Sequence, residues 1–109
     1  MYIRKGGSKV KVIKRDGRTI DFDRSKVELA IQKANREVRG KEKATKQEIN
    51  EIIGYIEELG KKRMLVEDIQ DVIEEKLMEF GKYELAKKYI VYRYTRALVR
   101  KSNTTDESI

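Results

Sequence analysis

Two hydrophobic periodicities meet in this chain, and the point where one replaces the other restricts the fold more than any other feature. On either side of Asp16-Gly17 the apolar residues alternate, with Val10 and Val12 before the turn and Ile20 and Phe22 after it. A period of two puts such residues on one side of a strand. From Val27 onward the apolar residues recur three and four apart, the pattern of helices that bury one face. A hairpin feeding into helices is the expected result.

The register of that hairpin follows from which face it buries. A two-residue Asp16-Gly17 loop pairs Ile13 with Ile20 and Val12 with Asp21, which splits the apolar set. A three-residue loop, Arg15-Asp16-Gly17 with Gly17 left-handed as a bulge, pairs Val10 with Phe22, Val12 with Ile20 and Lys14 with Arg18 on one face. The second arrangement is the expected one. Its inner face is apolar along its length and cationic at the turn, and Ile13 is left outside.

Four helices are then expected, each with readable punctuation. Asp23 or Ser25 can cap the first, Ser25-x-x-Glu28 reading as a capping box, and the stripe Val27, Ala30, Ile31, Ala34, Val38 ends at Gly40. Thr45-x-x-Glu48 opens the second, which carries Ile49, Ile52, Ile53, Ile56 and Leu59 up to Gly60. A short extended piece is expected at Met64 to Val66. The third helix starts near Glu67 and stops at Gly81, and the fourth runs from about Tyr83 to Lys101. A sheet this small must lie across the helices. The expected class is α+β, a four-helix bundle capped by a small three-stranded antiparallel sheet in the order β-β-α-α-β-α-α. One domain covers residues 1–101. Residues 102–109 form a polar tail whose Thr104-x-x-Glu107 resembles another helix start, and so the beginning of a further domain in a longer protein.

Composition narrows the chemistry. With no Cys and no His among 109 residues, disulfides, thiolate metal sites and the usual general base are unavailable. No apolar run reaches the roughly 20 residues of a membrane span, and the start has no signal-peptide core, which reads as cytoplasmic. There is no Walker A motif, no GxGxxG and no nucleophile beside a base. The carboxylate pairs Glu57-Glu58 and Glu74-Glu75 read as solvated outer faces, and Lys61-Lys62-Arg63 as a cluster complementing a helix C-terminus. Catalysis by this chain alone is not expected.

Charge points to binding instead. The formal net charge is +7, and it is concentrated in two segments. Residues 1–18 hold seven cations against Asp16, and residues 82–101 hold seven against Glu84. Brought together, these would form one positive surface. Lys26 falls in the first turn of a helix, where the dipole disfavours a cation. Either it projects into water, or an anion sits between it, the helix start and the hairpin tip with Lys14 and Arg18. Arg93, Arg96 and Arg100 share a helix face, while Tyr89 and Tyr92 read as core or rim residues. The residues support a polyanion site, for a nucleotide phosphate or a nucleic-acid backbone.

The stretch VIKRDGRTIDFDRSKVELAIQKA, residues 12–34, resembles the signature of the ATP-cone domain. The likeness continues in VEDIQDVIEEKLME, residues 66–79, and YELAKKYIVYRYTRA, residues 83–97, in the same order of elements. ATP-cones are regulatory modules, found mostly at the N-termini of ribonucleotide reductases and also in a repressor of reductase genes that carries a zinc ribbon. The resemblance implies that ATP or dATP, with Mg2+, binds between sheet and helices and sets overall activity, often through a change of oligomer. Carried over by position, Val12 and Val27 would flank the adenine, with the Lys14 backbone and Asp23 as hydrogen-bonding partners. Lys14, Arg15, Lys26 and Arg96 would take the phosphates, with Mg2+ held through those phosphates. Val66 and Gln70 match positions near base and sugar, and Arg93 is an extra cation that could serve in place of Arg96. Ile20 and Gln70 depart from the polar residue and the His that some members use to read the base. The tail VRKSNTTDESI is similar to the segment after the cone in anaerobic, glycyl-radical ribonucleoside-triphosphate reductases. The implied partners are an adenine nucleotide, the catalytic domain of a parent reductase and a second copy of the cone, with no membrane. The alternatives are a cone of another reductase class or of a transcriptional regulator, a basic nucleic-acid-binding module, or a degenerate cone kept as an interaction surface. A nucleic-acid module is disfavoured, because the fourth helix lacks the Asn/Gln/Arg pattern that reads base edges.

Overall fold

The computed structural model describes residues 10–107, with side chains for residues 10–99. The cations at positions 4, 5, 9, 100 and 101 and the side chains of Thr104 and Glu107 therefore lie outside the described residues.

The Lys14 amide donates to the Arg18 carbonyl (2.8 Å), and the Gly17 amide donates to the Lys14 carbonyl (2.9 Å). Gly17 has φ +90°, a left-handed conformation that costs a residue with a Cβ. This is the bulged turn expected from the burial pattern. It sets β1 (Lys11–Ile13) against β2 (Thr19–Asp21) with Val12 opposite Ile20. Beyond the strands proper, the Phe22 amide donates to the Val10 carbonyl, so the inner face runs from Val10 to Lys14. Val10, Val12 and Phe22 are buried, Ile20 and Lys14 half-buried.

The third strand, β3 (Arg63–Leu65), pairs with β1 in parallel, Val12 lying beside Met64, and the sheet order is β2-β1-β3. The antiparallel cap expected from the sequence is thus corrected to a mixed sheet. Parallel neighbours need a long crossover, and β2 with the two helices after it supplies one. The Lys11 amide donates to the Lys62 carbonyl, so the chain re-enters the sheet at the end where β1 began. It then leaves at the other end, directly into a helix.

The four helices are α1 (Arg24–Asn35), α2 (Lys46–Glu58), α3 (Val66–Glu79) and α4 (Tyr83–Glu107). They pack as α1 on α2 and α4, and α3 on α2 and α4. Asp23 caps α1: its carboxylate accepts from the Ser25 amide (2.9 Å) and hydroxyl (2.6 Å), which leaves Ser25 inside the first turn instead of heading a capping box. The Thr45–Glu48 box forms in both directions, at 3.1 and 2.9 Å. α1 stops at Asn35, short of Gly40, because Asn35 brackets the Ala44 backbone with two side-chain bonds and folds the intervening loop back; Val38 is still buried there. That loop includes a short 3-10 turn at Gly40–Glu42. α4 continues six residues past the expected end at Lys101.

The core is aliphatic. Ile31, Ile52, Ile53, Ile56, Ile73, Leu77 and Leu85 are fully buried between the helices, and Val12, Val27 and Met64 join the same cluster under the sheet. Among the described residues no helix is long and apolar enough to cross a membrane.

Two glycines should respond oppositely to alanine. Gly17→Ala places a Cβ at φ +90° and should cost about 1 kcal/mol of unfolding free energy. Gly54, inside α2 with nothing within 4 Å of an added Cβ, should gain about 0.5–1 kcal/mol as Ala, both read by urea unfolding.

Candidate functional site

The three cations crowded at the hairpin tip have different fates. Arg18 folds back on Asp16, with Nε 2.7 Å from Oδ2 and the Arg18 amide donating to Oδ1 at 3.0 Å. The Arg18 amide bond above all, with the Arg18 guanidinium and the Lys14 charge, holds the Asp16 carboxyl below its usual value against the opposing desolvation. Arg15 reaches across to α3, where its Nε lies 3.2 Å from Oε2 of Glu67. Lys14 forms no direct ion pair among the described residues, although its charge acts on Asp16, and it extends the inner face just beyond Val12.

Sheet register carries this tip to the start of α3. Ile13 lies beside Leu65 in the parallel pair, so Lys14 is next to Val66, the first residue of α3. One turn on, Oε1 of Gln70 accepts from Arg93 of α4 at 2.8 Å. Arg93 also meets Asp71 at 3.5 Å and Glu74 at 2.5 Å. α3 and α4 are antiparallel across the Gly81 turn, so Arg96, about 4.5 Å further along the axis, is level with the opening turn of α3. Arg96 is exposed and has no carboxylate partner among the described residues.

Lys26 belongs to another element. Asp23 follows Phe22 at the open end of the hairpin, about 13 Å of strand from the tip, and Lys26 is in the helical turn that Asp23 caps. No contact joins Lys26 directly to Lys14. Packing of α1 on α4 relates it to Arg96: Lys33 Nζ lies 6.0 Å from the Tyr92 ring centroid. At the far end the Lys82 ammonium reaches the Lys41 carbonyl (2.5 Å) and the Glu84 amide donates to Glu42 (3.3 Å). The two helices therefore run antiparallel, and Lys26 and Arg96 fall about one turn apart along their axes. Lys26 is exposed and forms no salt bridge among the described residues, although its charge and its amide act on the Asp23 carboxylate.

Lys14, Lys26 and Arg96 thus form no salt bridge among the described residues, and Val12 and Val27, both 7% exposed, belong to the buried core. Asp23 accepts both Ser25 bonds at Oδ1. Among the described residues no group of three carboxylates, His or Cys is placed to hold a metal. An open depression of about 390 Å³ between α2 and α3, around Tyr55, Lys76 and Phe80, lies elsewhere.

The sequence model of the ATP cone domain matches residues 10–98. The chain belongs to the ATP-cone family. Among curated relatives, the ribonucleoside-diphosphate reductase subunit alpha of Chlamydia muridarum is 35% identical over 96% of this chain and 11% of its own length. The vitamin B12-dependent ribonucleoside-diphosphate reductases of Thermoplasma acidophilum and Mycobacterium tuberculosis are 38% and 37% identical, over 82% and 83% of this chain. The cone spans about a tenth of the length of these relatives.

Sequence reasoning missed how the cone's acids are used. Glu57 and Glu74, read as solvated, have side chains only 11% and 13% exposed, because Arg24 covers the first at 3.6 Å and Arg93 the second. An arginine on the neighbouring helix was the available signal, but it could not be seen without the helix pairing. Arg93 and Arg15 differ in consequence. Arg93 is 23% exposed and has three partners on α3, whereas Arg15 and Glu67 are 44% and 46% exposed. A half-exposed ion pair contributes up to about 1 kcal/mol, whereas breaking an enclosed one costs several. Arg93 is therefore a clasp between α3 and α4. Burial pushes the neighbouring Tyr89 hydroxyl above its ordinary value, with Arg93 opposing.

Arg93→Ala should cost about 2–3 kcal/mol in urea unfolding, less than for a fully buried pair because water reaches part of this one. Acid should act through the α1 cap. The Ser25 hydroxyl, then its amide, hold the Asp23 carboxyl below the ordinary 3.8, so its stabilisation is present above that pH and lost as pH falls through the lower folded-state value. Asp23→Asn keeps a capping oxygen but does not titrate, so its melting temperature should fall less steeply than that of the natural cone below pH 3.8.

Proposed function

We propose that this cone is an allosteric nucleotide sensor that binds ATP or dATP and sets the overall activity of a ribonucleotide reductase of which it is the regulatory part. The observation that carries the reading is the set Lys14, Lys26 and Arg96. Arg15, Arg18, Arg24 and Arg93 each meet a carboxylate, whereas these three, like several other surface cations, form no salt bridge among the described residues, and Val12 and Val27 belong to the apolar cluster. Folding assembles like charge at a cost that a polyanion relieves, so ligand binding and stability are linked.

In this proposal Val12 and Val27 flank the adenine, and the Lys14 carbonyl and Asp23 Oδ2 meet its edge. The Lys14 amide is committed to Arg18 and its carbonyl already accepts from Gly17, so only the carbonyl's second lone pair is left for a ligand. Val66 and Gln70 border base and sugar. Lys14, Lys26 and Arg96 take the phosphates, joined by Arg15 once it is released from Glu67, and Mg2+ rides on the phosphates. Arg93 stays with α3. Occupancy would bias two arrangements of the cap, and the catalytic domain of the parent, or a second cone, would read the difference. The tail VRKSNTTDESI carries the narrower reading that the parent is an anaerobic ribonucleoside-triphosphate reductase in the cytoplasm and that residues 102–109 lead into its next domain. The named relatives are diphosphate reductases, so the class of the parent rests on that tail alone.

With Mg2+ present, ATP or dATP should raise the melting temperature of the 109-residue chain, and calorimetry should give a saturable isotherm. Lys26→Ala should abolish the rise while leaving the ligand-free melt nearly unchanged, because Lys26 is exposed. A flat response to both nucleotides would refute the proposal.

A further inference from the structure

We infer that Glu67 is a built-in competitor for the phosphate-binding cations, latching the hairpin tip to α3 until a nucleotide displaces it. The inference rests on the nucleotide reading above and names how that same site is regulated.

The Arg15–Glu67 contact is the one direct ion pair among the described residues between the hairpin tip and α3. It joins two half-exposed side chains at 3.2 Å, a geometry that water and other anions can enter. Arg93, by contrast, is enclosed by Gln70, Asp71 and Glu74 and has no comparable freedom to exchange.

Glu67 is also well placed to let go. It stands in the first turn of α3, whose start has no side-chain cap, since Leu65 occupies the capping position. The dipole there favours a carboxylate, so a released Glu67 keeps a favourable position near its own helix start and is not left unpaired in an apolar setting. A triphosphate offers Arg15 several charged oxygens in place of one carboxylate. The exchange would free the tip from α3 at the moment the ligand binds, and a carboxylate left in place would repel the phosphates.

The experiment is calorimetry of Mg-ATP and Mg-dATP binding to the natural chain, to Glu67→Gln and to Glu75→Gln, an exposed carboxylate on the outer face of α3. Glu67→Gln should tighten binding by about two- to fivefold and slightly lower the ligand-free melting temperature. Glu75→Gln should do neither, and in an Arg15→Gln background Glu67→Gln should lose most of its effect. Equal gains from both Gln variants would reduce the effect to net charge and overturn the latch. Unchanged or weaker binding by Glu67→Gln would overturn it too, weaker binding only with Mg2+ assigning Glu67 to the metal. Failure of the natural chain to bind either nucleotide would refute the nucleotide reading and the latch together. Normal binding with an unresponsive Glu67→Gln would refute the latch alone.

Discussion

The position of everything in the candidate site depends on the pairing register of a three-residue strand. β1 is central in the sheet, with Ile20 on one side of Val12 and Met64 on the other. Slippage by one residue would turn Val12 and Lys14 to the opposite face and bring Ile13 and Lys11 inward. So short a ladder has few hydrogen bonds with which to resist slippage. The left-handed Gly17 bulge at one end and the burial of Val10 and Phe22 at the other hold it.

On this frame the electrostatics divide the cations into three kinds. Some are matched within their own element, such as Arg18 by Asp16, or across neighbouring strands, as Lys11 by Asp21. Others are matched between elements, Arg24 by Glu57 of α2 and Arg93 by Asp71 and Glu74 of α3. A third kind, which includes Lys14, Lys26, Arg96 and several other surface cations, forms no salt bridge among the described residues. The pattern matters more than the formal charge of +7, because screening by salt weakens a diffuse excess, whereas the proposed phosphate site draws on three specific cations. Helix α3 supplies counter-charge to both Arg15 and Arg93, one loosely and one firmly, so a single helix both stiffens the body and borders the site.

Much of this was legible in the sequence. The hairpin register followed from burial, the Thr45–Glu48 box from its spacing, and the four apolar stripes from their period; each is a local property. What escaped depended on pairing between distant elements. The parallel placement of β3 was hidden because a three-residue strand carries no directional signal, and a crossover of two helices is needed to make it parallel. The early stop of α1 came from Asn35 reaching Ala44, a contact nine residues away. The burial of Glu57 and Glu74 required knowing which arginines the neighbouring helices present. The proposed grouping of Lys14, Lys26 and Arg96 comes from residue type and family resemblance. That Arg15, Arg18 and Arg93 each meet a carboxylate could be seen only in the folded chain.

The junction of β3 and α3 has a mechanical consequence. Leu65 ends the strand and Val66 begins the helix, with no residue between them to act as a flexible coupling. Strain applied at the rim of the sheet therefore cannot be absorbed in a loop, and has to tilt α3 as a stiff rod about its root. Because α4 is buttoned to that rod through Arg93, the tilt would be handed on to α4, at 25 residues the longest element among the described residues.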